Sequence, residues 1–302
     1  MKGERQEQEF RSGYVAIIGR PNVGKSTLLN SLLGERVSIV TPRPQTTRKR
    51  MIGVRTTEHD QIIFIDTPGI HKPHHALGEY MVKEAREALK EVDIVLFMVE
   101  PRQPGRAERL IVDLFREAAG DRPVMLLINK VDLVKKAEIL PVIGTYRSLY
   151  AFEEIFPLTA LNSDDVGLLV EEITKRLPAG PRYYPEDILT DQYERFMVSE
   201  AIREKVMTAT EEEIPHSVAV EVVQWNERED GIIFLDANIY VEREGQKGII
   251  IGKGGGRLKG IGSAARADIE KLLGRKIFLK LWVKVKKDWR SDKRVLRELG
   301  FQ

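Results

Sequence analysis

The chain has 302 residues, 42% of them apolar and 31% charged, with a net charge of +2 and no cysteine. That length fits two domains of about 150 residues each, and the lack of cysteine excludes disulfides, thiolate catalysis and cysteine-type zinc sites. No apolar run approaches the roughly 18 residues of a membrane span, and MKGERQEQEF at the start has no apolar secretory core, so the cytoplasm is the expected compartment.

From the N-terminus to about residue 178, short apolar runs alternate with amphipathic stretches. Strands are expected at 14–18, 61–65, 93–99, 123–128 and 154–158, with helices such as 78–92 and 107–119 between them. This alternation predicts an α/β domain with a mostly parallel sheet and helices on both faces. Ligands of such sheets bind at the carboxyl ends of the strands. The stretch LPAGPRYYPED (177–187), with Pro178, Pro181 and Pro185, reads as a semi-rigid linker. Beyond it the pattern changes. A helix over 191–210, strands over 216–225 and 231–244, a glycine-rich loop, a helix over 261–274 and a last strand over 276–286 make a small α+β domain. The expected boundaries are 1–180 for the first domain, 181–190 for the linker and 191–302 for the second domain.

GRPNVGKS follows the first strand and opens a helix, as a phosphate-binding loop requires. Backbone N–H groups of Gly19, Asn22, Val23, Gly24, Lys25, Ser26 and Thr27 are expected around the phosphates. Lys25 reaches the β- and γ-phosphates, and the Ser26 hydroxyl ligates Mg²⁺. In FIDTPG (64–69), Asp66 ends an apolar strand and holds the metal through water, while the Gly69 N–H meets the γ-phosphate. In PRPQTTRKR (42–50), Thr47 rather than Thr46 is expected to close on Mg²⁺, because it directly precedes the basic run. The basic run Arg48, Lys49 and Arg50 reads as solvated surface.

NKVD (129–132) decides the base. The Asp132 carboxylate can accept from guanine N1–H and N2–H₂ together, whereas adenine would leave it unpaired. Asn129 braces the loop and Lys130 lies along the base. In TAL, Thr159, Ala160 and Leu161 follow the next strand, and the Ala160 N–H points to guanine O6. The nucleotide is therefore expected to be GTP or GDP. Ile70 stands where many GTPases place a water-orienting glutamine, so slow intrinsic hydrolysis is expected. Asn22 with nearby loop carbonyls is read as holding K⁺ by the β/γ-phosphates, an electrostatic substitute for an arginine finger. The triplet His71, His74 and His75 reads as part of a mobile switch segment rather than as a metal site.

The charge is unevenly placed. Residues 243–297 carry 17 Lys and Arg against five Asp and Glu, a density that suits a polyanion. Within them, IGKGG lacks the Lys-Ser/Thr step of a nucleotide loop. It fits instead the G-x-x-G turn between helices that brings backbone against about four single-stranded nucleotides. Ile251, Gly252, Lys253, Gly254, Gly255, Arg257 and Lys259 are the expected RNA-binding residues. Along the last strand, Ile277, Leu279, Leu281, Val283 and Val285 alternate with Lys276, Phe278, Lys280, Trp282, Lys284 and Lys286. The second set forms a basic face with two aromatics, opposite the helices. It suits nucleic acid, docking of the first domain, or plain solvent equally well.

The ordered set GRPNVGKS, QTTR, DTPG and NKVD, followed by VEREGQKGIIIGKGGGRLKGIG and LWVKVKKDW, resembles the Era family of bacterial GTPases with a C-terminal type II KH domain. The likeness runs from about residue 12 to the end. It implies binding near the 3′ end of 16S ribosomal RNA through the KH domain in a GTP-dependent manner, and a role in small (30S) ribosomal subunit maturation. It also implies peripheral contact with the inner face of the cell membrane; a monomer is expected. Thr159 departs from the family's serine, and Gly254 and Gly256 enrich the turn beyond the family's minimum. Two other readings are a metabolic P-loop kinase, which NKVD disfavours, and a binding module with vestigial hydrolysis, which the intact Lys25, Ser26, Asp66 and Asp132 disfavour.

Overall fold

The structure, a computed structural model, describes residues 9–301. The chain divides into two compact units. The first comprises 9–38, Thr47–Lys72 and Met81–Asp191, and the second Ile39–Thr46, Pro73–Tyr80 and 192–301.

In chain order the first part contains β1 (Arg11–Gly19), α1 (Lys25–Leu33), β2 (Met51–Thr56), β3 (Asp60–Asp66), α2 (Ala76–Lys90), β4 (Ile94–Val99), α3 (Arg106–Ala118), β5 (Val124–Asn129), α4 (Lys136–Leu149), β6 (Glu154–Leu158) and α5 (Ser163–Arg176). The sheet order is β2-β3-β1-β4-β5-β6. All neighbours pair in parallel except β2, which runs antiparallel to β3 at the edge. Strands β3, β4 and β5 are buried along their whole length, as parallel strands covered on both faces must be. One core cluster packs Phe97, Val95 and Leu126 of the sheet against Ile111, Phe115 and Tyr146 of the helices. Because β1, β3, β4, β5 and β6 run parallel, their carboxyl ends (Gly19, Asp66, Val99, Asn129 and Leu158) share one edge of the sheet.

Local signals fix the helix starts. The Asn162 side chain accepts from the Asp164 and Asp165 N–H groups at 2.9 and 3.2 Å, and those two carboxylates sit in the positive first turn of α5. The Gly105 N–H donates to Glu108 at 2.9 Å at the head of α3. Residues 181–190 lie along the first unit: the Tyr183 and Tyr184 N–H groups donate to the Gln61 side-chain oxygen, and the Thr190 hydroxyl donates to the Ile52 carbonyl.

The second unit adds α6 (Glu194–Ala209), α7 (Ile214–Ser217), β7 (Ala219–Glu227), β8 (Ile233–Val241), α8 (Glu244–Ile251), α9 (Gly256–Leu273), β9 (Ile277–Val285) and α10 (Lys293–Glu298). Its sheet is β7-β8-β9, with β7 antiparallel and β9 parallel to β8. Val198, Ile202 and Val206 of α6, Ile250 of α8, and Ile261, Ala265 and Ile269 of α9 bury one face of that sheet through Ile233, Leu235, Ala237, Ile239 and Val241. Alternation then turns Phe234, Asp236, Phe278, Lys280 and Trp282 to the other face. Within this unit, Arg203 of α6 is buried, pairs with Glu200 and donates to the Thr46 carbonyl.

Candidate functional site

The carboxyl edge of the first sheet gathers the expected nucleotide residues. β1 ends at Gly19, the loop turns through Asn22 (φ 65°) and Gly24 (φ 106°), and α1 begins at Lys25. Val23 is buried within the loop, and Thr27 lies half-buried in the first turn of α1. Lys25 is 6% exposed, and its ammonium donates to the Gly19 and Arg20 carbonyls at 3.2 and 2.9 Å. Burial lowers its pKa to about 8, Asp66 opposes that shift, and Arg20 adds to it.

Asp66 closes β3 with no exposure. Its Oδ2 accepts from Ser26 at 2.7 Å, Thr47 at 3.1 Å and Ser38 at 3.4 Å, and the Ser26 and Thr47 hydroxyls stand 2.8 Å apart. Burial raises the Asp66 pKa, partly offset by Lys25 and then by these hydroxyls. The other carboxylate oxygen, Oδ1, is buried without a hydrogen-bond partner among the described residues. A buried anionic oxygen beside two hydroxyls is the donor set of a hard, oxygen-seeking cation, and the three residues fit Mg²⁺. The Thr46 hydroxyl lies elsewhere, bonded to Thr41 and the Arg43 carbonyl. Thr47 and Arg48 are both buried, at 7% and 3% exposure; the solvated surface expected of the basic run therefore does not hold at Arg48.

Gly69 lies against the loop: a Cβ there would come within 2.6 Å of the Pro21 nitrogen. The next N–H, of Ile70, donates to the Gly19 carbonyl at 3.1 Å, and the Ile70 side chain is buried in the core. It has neither the chemistry nor the position to orient water.

The base-recognition loops are tied together by Asn129. Its Nδ2 donates to the Val23 carbonyl at 2.8 Å, and its Oδ1 accepts from the Ala160 N–H at 2.9 Å. Lys130 (φ 64°) donates to the Asn22 carbonyl and pairs with Glu100, both at 2.8 Å. Asp132 is exposed and accepts from the Thr159 hydroxyl at 2.9 Å; Leu161 is 80% exposed. Thr159, the departure from serine, thus keeps a hydroxyl to orient Asp132.

Sequence reasoning passed over Glu100 and Arg20. Glu100 follows β4 and reaches Arg20 at 3.3 Å as well as Lys130, and Arg20 also pairs with the buried Glu108. The signal was present: a carboxylate ending the apolar run IVLFMV stands where Asp66 ends QIIFI.

In the second unit, the expected turn joins α8 to α9. Ile251 ends α8, Lys253–Gly255 form a single 3₁₀ turn, and Gly252, Gly254 and Gly255 all have positive φ. At Gly252 (φ 72°) a Cβ would sit 2.8 Å from the Arg257 Cβ, so only glycine fits without strain. Lys253, Arg257 and Lys259 are exposed around the turn, and Arg257 donates to the Ile249 carbonyl at 2.6 Å.

Residues 14–130 match a family model described as 50S ribosome-binding GTPase, and residues 213–290 match a KH domain model. GTPase Era of Geobacter metallireducens is 54% identical over 98% of this chain and 99% of its own length. GTPase Era of Clostridium botulinum is 48% identical over 97% and 99%. Among solved structures, Era in complex with MgGDPNP and nucleotides 1506–1542 of 16S ribosomal RNA superposes with a TM-score of 0.92 at 40% identity, covering 97% of this chain and 99% of that one. A point variant of Aquifex aeolicus Era bound to GDP·AlF₄⁻ gives 0.91 at 41% identity over the same shares.

Proposed function

The chain belongs to the Era family of GTPases, and from that premise we propose that it binds GTP with Mg²⁺ at the carboxyl edge of its first sheet, hydrolyses it, and holds the 3′ region of 16S ribosomal RNA at the Gly252–Gly255 turn in small (30S) subunit assembly. One observation carries the reading. The Ser26, Thr47 and Asp66 cluster and the Asn129 bridge converge on one phosphate loop, in a chain that also carries a G-x-x-G turn.

Each residue then has a task. Lys25, held by two loop carbonyls, presents its charge to the β- and γ-phosphates. Ser26 and Thr47 would hold Mg²⁺ directly and Asp66 through water. The ion, when bound, neutralises charge on the phosphate oxygens. The Gly69 N–H meets the γ-phosphate, so residues 35–50 and 69–78 order when that group is present and relax when it leaves. Asp132 selects guanine, with Lys130 along the base and the Ala160 N–H at O6. Ile70 supplies no water-orienting group, and Asn22 with K⁺ supplies the compensating charge. Lys253, Arg257 and Lys259 contact RNA phosphates while the glycines admit the backbone. In this reading the protein works in the cytoplasm as a monomer, with peripheral contact to the inner membrane face.

The experiment is RNA crosslinking of wild type and Gly252→Asp, each loaded with GDP or a non-hydrolysable GTP analogue, paired with GTP turnover in K⁺ and in Na⁺. Strong crosslinking of ribosomal RNA by the wild type with the GTP analogue, lost in Gly252→Asp, is expected. Unchanged crosslinking by the variant removes the RNA assignment of the turn. Equal crosslinking with both nucleotides removes the coupling, and equal turnover in the two salts removes the role of K⁺.

A further inference from the structure

We propose that the open face of the β7-β8-β9 sheet is a second RNA-binding surface, separate from the glycine turn, which takes unpaired bases by stacking. The proposal rests on the RNA-binding reading of the turn. Strands β8 and β9 run parallel with Phe234 beside Phe278, Asp236 beside Lys280 and Asn238 beside Trp282. The Phe234 and Phe278 rings stack with centroids 5.3 Å apart and planes 10° from parallel. Phe278 is 51% exposed and Trp282 47%, although large aromatics on a sheet face normally find cover.

Cations are interleaved with these rings. The Lys280 ammonium lies 4.7 Å from the Trp282 ring, and the Arg228 guanidinium 5.7 Å from Phe234. Lys284 is exposed at one end of the row, and Lys276, at the other, is exposed but pairs with Glu270 of α9 at 3.1 Å. Of the neighbouring carboxylates, Glu227 pairs with Arg275 and Glu221 accepts from the Tyr240 hydroxyl, while Asp236 keeps its charge and accepts from the Trp282 indole N–H at 3.3 Å. This last bond also fixes the plane of the indole. Near Tyr240 the face is closed, with Lys286 over that ring and paired to Glu298. The open part therefore runs from the phenylalanine pair to Trp282.

Such alternation selects among partners. Phe278 and Trp282 stand four residues apart on one face, about 13 Å, a distance that two or three nucleotides of extended single strand span. Bases stack on the rings while phosphates meet the lysines, which is how proteins hold single strands without reading sequence. Asp236 at the centre repels phosphate and keeps the backbone over the basic rows. A G-x-x-G turn occupies about four nucleotides, and the RNA bound to the related Era structure, nucleotides 1506–1542, is far longer.

The test uses the full chain loaded with GDPNP and Mg²⁺ and two fluorescent RNA probes, a pentanucleotide and the RNA of nucleotides 1506–1542. Phe278→Ala/Trp282→Ala is expected to weaken the long RNA by about 5- to 100-fold per ring, from the usual worth of a base–aromatic stack, and to leave the pentanucleotide unchanged. Gly252→Asp should weaken both. Lys280→Glu/Lys284→Glu, which keeps the rings, should weaken the long RNA and flatten its salt dependence. Should ring loss perturb folding, mass spectrometry of the ultraviolet-crosslinked wild type decides, with adducts on Phe278 or Trp282 expected. Wild-type affinity for the long RNA in both double variants, or adducts confined to 251–259, overturns the proposal and leaves the face to a protein partner. Failure of the wild type to bind either RNA sinks the RNA-binding reading itself, and this proposal with it.

Discussion

The Glu100 carboxylate pairs with the Lys130 ammonium at 2.8 Å and with Arg20 at 3.3 Å, joining the base-recognition loop to the phosphate loop. Neither pair is fully buried, so their direct contribution to stability is small. Their weight is positional, since Lys130 also donates to the Asn22 carbonyl at 2.8 Å. Glu100→Gln is expected to weaken GDP binding by about 3- to 10-fold, the usual net worth of one ordinary hydrogen bond, with little change in melting temperature. Titration calorimetry checks it; an unchanged Kd would show that Lys130 is positioned without Glu100.

Asn129 has the opposite balance, structural before it is functional. It is 2% exposed and satisfies the buried Val23 carbonyl and Ala160 N–H. Asn129→Ala leaves both groups unpaired, at roughly 1–3 kcal/mol each. Melting temperature of the nucleotide-free protein should fall by about 4–24 °C, given about 2–4 °C per kcal/mol for a domain of this size. A fall under about 2 °C, less than one such bond is worth, would mean that water replaces the bridge.

Much of this site was legible because its chemistry demands fixed residue types at strand ends. Short apolar runs ending in Gly19, Asp66 or Asn129 mark both the strand and the site. What escaped was set by tertiary context. Strand β2 was not expected: Gly53 and Arg55 interrupt its pattern, and an antiparallel edge needs only partial burial. Helix α9 begins at Gly256 rather than near 261, because Gly256, Gly260 and Gly262 hide the helical period. Arg48 is buried despite lying in a basic run. The grouping of Ile39–Thr46 and Pro73–Tyr80 with the second unit has no local signature at all.

Adjacent threonines provide an internal control. The Thr47 hydroxyl stands 2.8 Å from Ser26 and 3.1 Å from Asp66, whereas the Thr46 hydroxyl faces Thr41 and the Arg43 carbonyl. Thr47→Ala should lower Mg²⁺-dependent GTP turnover by about 100- to 1000-fold, as loss of a transition-state electrostatic contact does. Thr46→Ala should change it less than about threefold, because it loses only two neutral hydrogen bonds, to Thr41 and the Arg43 carbonyl, away from the Ser26–Asp66 cluster. Single-turnover hydrolysis over a Mg²⁺ series separates the two; equal losses would mean that the loop acts as a unit and Thr47 has no special place.

Lys25 couples the stability of the nucleotide-free protein to pH. Its pKa falls from 10.5 in an exposed chain to about 8 in the fold, through burial. Below pH 8 both states hold the proton, and the native state bears the full cost of a buried ammonium, on the order of 3 kcal/mol. Between about 8 and 10.5 the unfolded chain binds the proton that the native chain has released, so this group's contribution to stability rises with pH. Phosphate beside the ammonium restores its charge, and nucleotide binding near pH 8.5 must therefore take up a proton. Calorimetric titration with GDP in two buffers of different ionisation enthalpy should show uptake approaching one proton at about pH 8.5 and little at about pH 6.5. Lys25→Met should abolish that difference, and should stabilise the nucleotide-free protein at neutral pH even as it weakens GDP. Equal uptake at both pH values in the wild type would show that the lysine is already fully charged in the empty site, and that the loop carbonyls of Gly19 and Arg20 compensate its burial.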